Sequence, residues 1–117
     1  VVVDDCAIIS ASVLVHQFCH IGGYVMVQGG SRTSQDIPPY VIAGKEPIRY
    51  AGLNLIGLRR RGFSAETIEN IRKAYDILYS KGILKEGIAE IRATMPQTKE
   101  IEYIISFLET AQRGIIR

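Results

Sequence analysis

Large aliphatic side chains stand at Val3, Ile9, Val15, Ile21 and Val27, six residues apart, and Thr33 closes the series. A second column of small or β-branched residues, Ala7, Val13, Cys19, Val25 and Ser31, runs four positions behind it. Neither the period of 2 of an amphipathic strand nor the period of 3.6 of a helix returns every six residues in this way. A parallel β-helix with short flat faces does. Each hexad supplies one strand and one corner, with the aliphatic residue pointing into a narrow core and the small one packing beside the bend. Three hexads close a triangular coil, so residues 3–20 and 21–38 predict about two coils. The competing reading is a half-buried sheet of short strands with turns at Gly22-Gly23 and Gly29-Gly30. Because solenoid repeats bury a continuous core only when about three or more stack, two coils require preceding coils, or copies of the chain together with its own C-terminal segment. The chain also begins at Val1 inside the apolar pattern rather than at a polar cap, which reads as a piece of something longer.

The pattern changes at Pro38-Pro39. Neither residue donates a ladder hydrogen bond and each holds its predecessor extended, so the solenoid is predicted to stop there. Residues 40–52 read as an irregular linker. From Leu53, the residues Leu55, Ile56 and Leu58 lead into Arg59-Arg60-Arg61-Gly62, a short helix ended by glycine. Ser64 caps the next helix, which carries Ile68, Ile71, Tyr75 and Leu78 at three- and four-residue spacing and stops near Gly82. A weaker helix covers Lys85 to Met95. A last one starts near Thr98, with Ile101, Ile104, Ile105, Leu108 and Ala111 on one face. The prediction is therefore β followed by α: coils over residues 1–39, a linker over 40–52, and a small C-terminal α-helical domain over 53–117.

Composition narrows the possible functions. With 117 residues, 47% hydrophobic and a formal charge of +2, the chain has globular composition and lacks the clustered basic surface of a nucleic-acid binder. Its longest apolar stretch, around Ala7 to Val15, is interrupted by serines and falls short of the roughly 20 residues a membrane span needs. Cys6 and Cys19 have neither C-x-x-C spacing nor a histidine pair in zinc order, so no metal, no cofactor and no disulfide scaffold is expected, and a reducing compartment fits.

The chemistry-bearing residues are few. Arg59, Arg60 and Arg61 form the only dense positive cluster, and guanidinium groups suit bidentate contact with phosphate oxygens. A run of arginines at a helix end equally serves the helix dipole and solvation. Asn54 offers both a donor and an acceptor.

Several motifs together carry a resemblance that covers the whole chain. They are the corner Val15-His16-Gln17-Phe18, the exit Gln35-Asp36-Ile37-Pro38-Pro39-Tyr40-Val41-Ile42-Ala43, Asn54, the junction Arg60-Arg61-Gly62-Phe63-Ser64 and the terminal Arg113-Gly114-Ile115-Ile116-Arg117. With these the chain resembles the C-terminal part of the acyl-[acyl-carrier-protein]–UDP-N-acetylglucosamine O-acyltransferase family of lipid A synthesis. The resemblance implies a left-handed parallel β-helix, a cytoplasmic homotrimer with active sites between subunits, and no stable membrane insertion. It further implies transfer of a 3-hydroxyacyl group from acyl carrier protein to the 3-hydroxyl of UDP-N-acetylglucosamine. The step needs a general base and an oxyanion donor. In the family the base is a histidine of an earlier coil, upstream of Val1, so no catalytic residue is assigned here.

By the same resemblance His16 and Gln17 line the nucleotide-sugar site, Arg60 and Arg61 face its pyrophosphate, and Asn54 meets the uracil. Ile56 stands where the family often has an acidic residue touching the nucleotide, a departure that bears on base and ribose recognition. Gly29 leaves room for the far end of a long acyl chain, since a steric stop discriminates chain length better than attraction does. Arg59 is a solvated charge or a carrier-protein contact, and His20 is expected as exposed solenoid surface. Two other functions are in view: a trimerising, carrier-protein docking module without catalysis, and the related N-acyltransferase of the same pathway. The Arg-Arg-Gly-Phe-Ser junction argues against the latter.

Overall fold

The hexads fold as two-residue strands. In the computed structural model, which describes residues 1–111 and 114–117, six such strands follow one another every six residues: β1 (Val2–Val3), β2 (Ile8–Ile9), β3 (Leu14–Val15), β4 (His20–Ile21), β5 (Met26–Val27) and β6 (Arg32–Thr33). Val2 pairs in parallel with His20, Ile8 with Met26 and Leu14 with Arg32. The uniform offset of 18 residues equals three hexads, so the chain comes back alongside itself on three separate ladders rather than folding as one hairpin sheet. Between strands the backbone turns through a left-handed residue at Cys6, Ser12, Phe18 and Tyr24, with φ between 59° and 68°, and then at Gly30 with φ 76°. That conformation costs a side-chain-bearing residue about 1–2 kcal/mol. The ladders on either side of each corner hold it in place.

The ladder continues past the prolines, contrary to the sequence expectation. β7 (Val41–Gly44) lies parallel to β5 with Ile42 opposite Met26, and β8 (Arg49–Leu53) returns antiparallel to β7. Most of the expected linker is thus sheet. Pro38 and Pro39 occupy the bend between Ile37, bridged to Ile21, and β7, so no ladder bond needs their nitrogens, and the offset shortens from 18 to 16 residues. The bend presses on the coil before it, since a Cβ on Gly22 would sit 2.5 Å from the Pro39 nitrogen. Only glycine fits under it.

Among the described residues four helices follow: α1 (Leu55–Arg60), α2 (Ala65–Ser80), α3 (Leu84–Thr94) and α4 (Lys99–Glu109). Ser64 and Thr98 cap α2 and α4 by accepting from the backbone N–H of Thr67 and Ile101. The predicted stripes are buried, Ile68, Ile71, Tyr75 and Leu78 on α2 against Ile101, Ile104, Ile105 and Leu108 on α4. The helices are tied to the sheets by the Tyr75 hydroxyl donating to the Pro39 carbonyl (2.6 Å). The C-terminal residues return as well: Asp36 N–H donates to Gly114, and Ile116 N–H to Asp36. Arg113, part of the terminal motif, lies outside the described residues. Among the described residues no helix is long and apolar enough to cross a membrane.

Candidate functional site

The three arginines end α1, where positive charge complements the helix dipole, and Gly62 with φ 81° turns the chain into α2. All three are exposed, and none forms an ion pair with a described residue. Arg61 lines a cavity of about 640 Å³ between the start of α2, the start of α4 and the corner at Tyr24. Its walls are aromatic. The Tyr24 ring lies 5.0 Å from Phe63 and 5.7 Å from Tyr40, and Tyr40 lies 5.8 Å edge-on from Tyr103. Two buried polar residues also line it, Tyr40 at 3% and Glu100 at 9% exposure. Burial pushes the Tyr40 phenol pKa well up, and the charge of Glu100 adds to the effect, so the hydroxyl stays protonated and able to donate.

One wall of the cavity is braced by a polar chain. Tyr103 donates its hydroxyl proton to Asp4 Oδ2 and accepts from Gly23 N–H (2.7 Å), while the other carboxylate oxygen of Asp4 meets His20 Nε2 at 2.8 Å. Burial, followed by the Asp4 contact, raises the Tyr103 phenol as well. His20 is therefore not the exposed surface residue that the sequence predicts. Its ring packs 4.4 Å from Phe107, and its backbone N–H donates to the buried Asp36. Docking of α4 on the coils covers it, which a local pattern does not encode.

The other predicted residues are dispersed. Asn54 is buried as the N-cap of α1, with Oδ1 accepting from Gly57 N–H (3.3 Å) and Nδ2 donating to the Tyr24 carbonyl (3.1 Å), so both ends of its amide are spent on the protein. An asparagine just before a helix already carried that capping signal. Ile56 is 66% exposed on α1. His16 and Gln17 are exposed at the corner after β3, and His16 lies in a groove with Leu14, Arg32 and Thr33, away from the Arg61 cavity. His16 Nδ1 lies 2.9 Å from the Gln17 carbonyl, which can only accept from it. Gly29 is exposed at the corner before β6, where a Cβ would come 3.3 Å from the Ala11 carbonyl oxygen of the previous coil. Within one chain the structure brings Arg61 together with the aromatic cavity. It does not bring His16, Gln17 or Gly29 there. The cavity residues Tyr24, Tyr40, Glu100 and Tyr103 carry no local signal, because α4 brings Glu100 and Tyr103 to the Tyr24–Tyr40 pair only when it docks.

Comparison with known proteins adds a second line. A family model described as "Udp N-acetylglucosamine O-acyltransferase; Domain 2" matches residues 36–116. The chain is 43% identical over 116 residues to the acyl-[acyl-carrier-protein]–UDP-N-acetylglucosamine O-acyltransferase of Thiobacillus denitrificans, covering 98% of this chain and 45% of that one. It is 38% identical to the protein of the same name from Myxococcus xanthus, covering 100% and 46%. In structure it is similar to a UDP-N-acetylglucosamine acyltransferase from Bacteroides fragilis, with a TM-score of 0.93 and 58% identity over 99% of this chain and 46% of that one. The chain thus spans about half the length of the curated relatives it matches.

Proposed function

The chain belongs to the UDP-N-acetylglucosamine O-acyltransferase family, and from that premise we propose that it is the C-terminal part of an enzyme acylating the 3-hydroxyl of UDP-N-acetylglucosamine. The acyl donor is a 3-hydroxyacyl thioester of acyl carrier protein. In the reaction the sugar O3–H loses its proton to a general base, the oxygen attacks the thioester carbonyl, the C–S bond breaks, and the proton ends on the carrier thiol. The base belongs to an earlier coil. Neither histidine here takes that place: His20 is committed to Asp4 and Phe107, and His16 lies in a shallow groove beside Arg32.

The period-18 ladders with left-handed corners support a left-handed parallel β-helix, and the enzyme is read as a cytoplasmic homotrimer. A trimer supplies what one chain lacks, because the His16–Gln17 groove of one subunit then faces the Arg60–Arg61 end of another across a cleft. Gly29 stays open for the end of the acyl chain. The observation that carries this reading is that the guanidinium groups of Arg60 and Arg61 are exposed and form no ion pair with a described residue, Arg61 lining a cavity of ligand size.

Arg60→Ala and Arg61→Ala in the complete enzyme are each expected to raise KM for the nucleotide sugar about tenfold or more, as for loss of a charge-assisted contact, in steady-state assays. Unchanged affinity for UDP in both variants refutes the assignment.

A further inference from the structure

Arg60 and Arg61 form no ion pair with a described residue, so α1 with its C-cap decides where they stand. That helix is weakly held by its own residues. It has six of them, too few to be stable alone, and only Leu58 is buried, while Leu55 and Ile56 are 37% and 66% exposed. One buried side chain anchors a helix at a point and leaves its direction open. The direction is fixed at the ends.

Both ends meet the same two corners. Tyr24 and Tyr40 have left-handed backbones, with φ 59° and 72°, and their rings stack at 5.7 Å. At the N-terminal end the Asn54 backbone N–H donates to the Tyr40 carbonyl (2.9 Å) and its Nδ2 to the Tyr24 carbonyl (3.1 Å), while Oδ1 accepts from Gly57 N–H. Past the C-terminal end the Phe63 ring meets Tyr24 and Tyr40 edge-on, at 5.0 and 5.8 Å. The Asn54 amide is therefore the polar bolt between α1 and the coils. It fits because Gly57 has no side chain, since a Cβ there would stand 2.4 Å from Asn54 Nδ2 and 2.9 Å from Cγ. The group that has to yield to such a Cβ is the amide, and its two hydrogen bonds go with it.

A glycine inside a helix is otherwise unfavourable, because alanine is the better helix former. We propose that Gly57 and Asn54 are positioning residues for the nucleotide sugar. The bare Cα of Gly57 holds the Asn54 amide against the Tyr24 corner, and that contact sets the direction in which α1 presents Arg60 and Arg61. This rests on the nucleotide-sugar reading above and gives Asn54 a role that acts through the arginines. Direction matters to them because the N–H groups of a guanidinium lie in one plane and grip a phosphate along it, and a misplacement of about 1 Å is able to cost about a hundredfold.

The test is equilibrium binding of UDP to the complete enzyme, with KM and kcat measured beside it. Gly57→Ala is expected to weaken UDP and raise KM for the nucleotide sugar about fivefold to twentyfold, with kcat and KM for the acyl donor within about twofold. A structural role alone predicts the opposite, since the added methyl group favours the helix. Asn54→Ala, which introduces no clash, has a similar effect, and Gly57→Ala adds nothing to it because the methyl group then meets no amide. In an Arg60→Ala/Arg61→Ala background both substitutions lose their effect, to within about twofold. Unchanged UDP affinity in Gly57→Ala and Asn54→Ala overturns the proposal. So does an effect that persists in full without the two arginines, which would mean that the amide touches the nucleotide itself. If Arg60→Ala and Arg61→Ala leave UDP binding unchanged, the nucleotide reading falls and this proposal with it.

Discussion

Val3 and Ile9 hold the same place in the hexad as Ile21 and Val27, yet they are 46% and 40% exposed while the later pair is fully buried. Strand length, corner conformation and pairing are shared between the two coils. What differs is the neighbour. The second coil is covered by β7 and the helices, whereas the first has a partner on one side only. A six-residue period therefore specifies the shape of a coil, and the burial of that coil is a property of the stack. Since a fully buried aliphatic side chain is worth about 1.5–3 kcal/mol, the first coil carries stabilisation that one further layer would release.

The sharpest way to break the comparison is to truncate both coils equally. Ile21→Ala is expected to cost about 3–4 kcal/mol and Ile9→Ala less than about 1 kcal/mol, measured by urea denaturation of this chain. In the complete acyltransferase proposed above, the two costs should converge. Equal costs in the present chain would mean that the first coil is already covered.

A smaller effect probes α4, which reaches the first coil through Tyr103. Tyr103→Phe removes the donor to Asp4 and strands the Gly23 amide, at a cost of about 1–2 kcal/mol. Hydrogen exchange should quicken around Asp4 and Asp5 and stay slow in the centre of α4. Uniform quickening would instead indicate that α4 itself had loosened.

The smallest effect is at the corners. Ser12→Gly removes a side chain from a residue with φ 59° and should change stability by under about 1 kcal/mol in the stabilising direction, since relief of the left-handed backbone outweighs the added freedom of the unfolded chain. Thermal melts resolve it, and a loss of stability would show that the Ser12 side chain is used.

The sequence carried most of what is local. Two six-residue columns, the Ser64 and Thr98 caps and the glycine at 62 each mark their element through nearby residues, and the elements follow. The left-handed corners form a third column that leaves no mark in the sequence, because Cys6, Ser12, Phe18 and Tyr24 share a conformation but no chemistry. β7 is hidden from the local pattern because proline ordinarily ends a ladder, whereas here it sits in a bend that makes no ladder bond. Site residues divided in the same way. Arg60 and Arg61 were visible as a run, but Glu100 and Tyr40 lie 60 positions apart and acquire meaning only through a cavity that packing creates.

The tyrosines give the molecule optical properties of its own. It has no tryptophan and six tyrosines, so its intrinsic ultraviolet emission is tyrosine emission. Tyr24, Tyr40 and Tyr103 surround the cavity, while Tyr50, Tyr75 and Tyr79 stack on one another at 4.6 to 6.0 Å where β8 meets α2. Half of the chromophores thus line the space a ligand would fill, and half stack on one another outside its lining. Filling of the site is therefore expected to change the tyrosine emission of the chain without any added label.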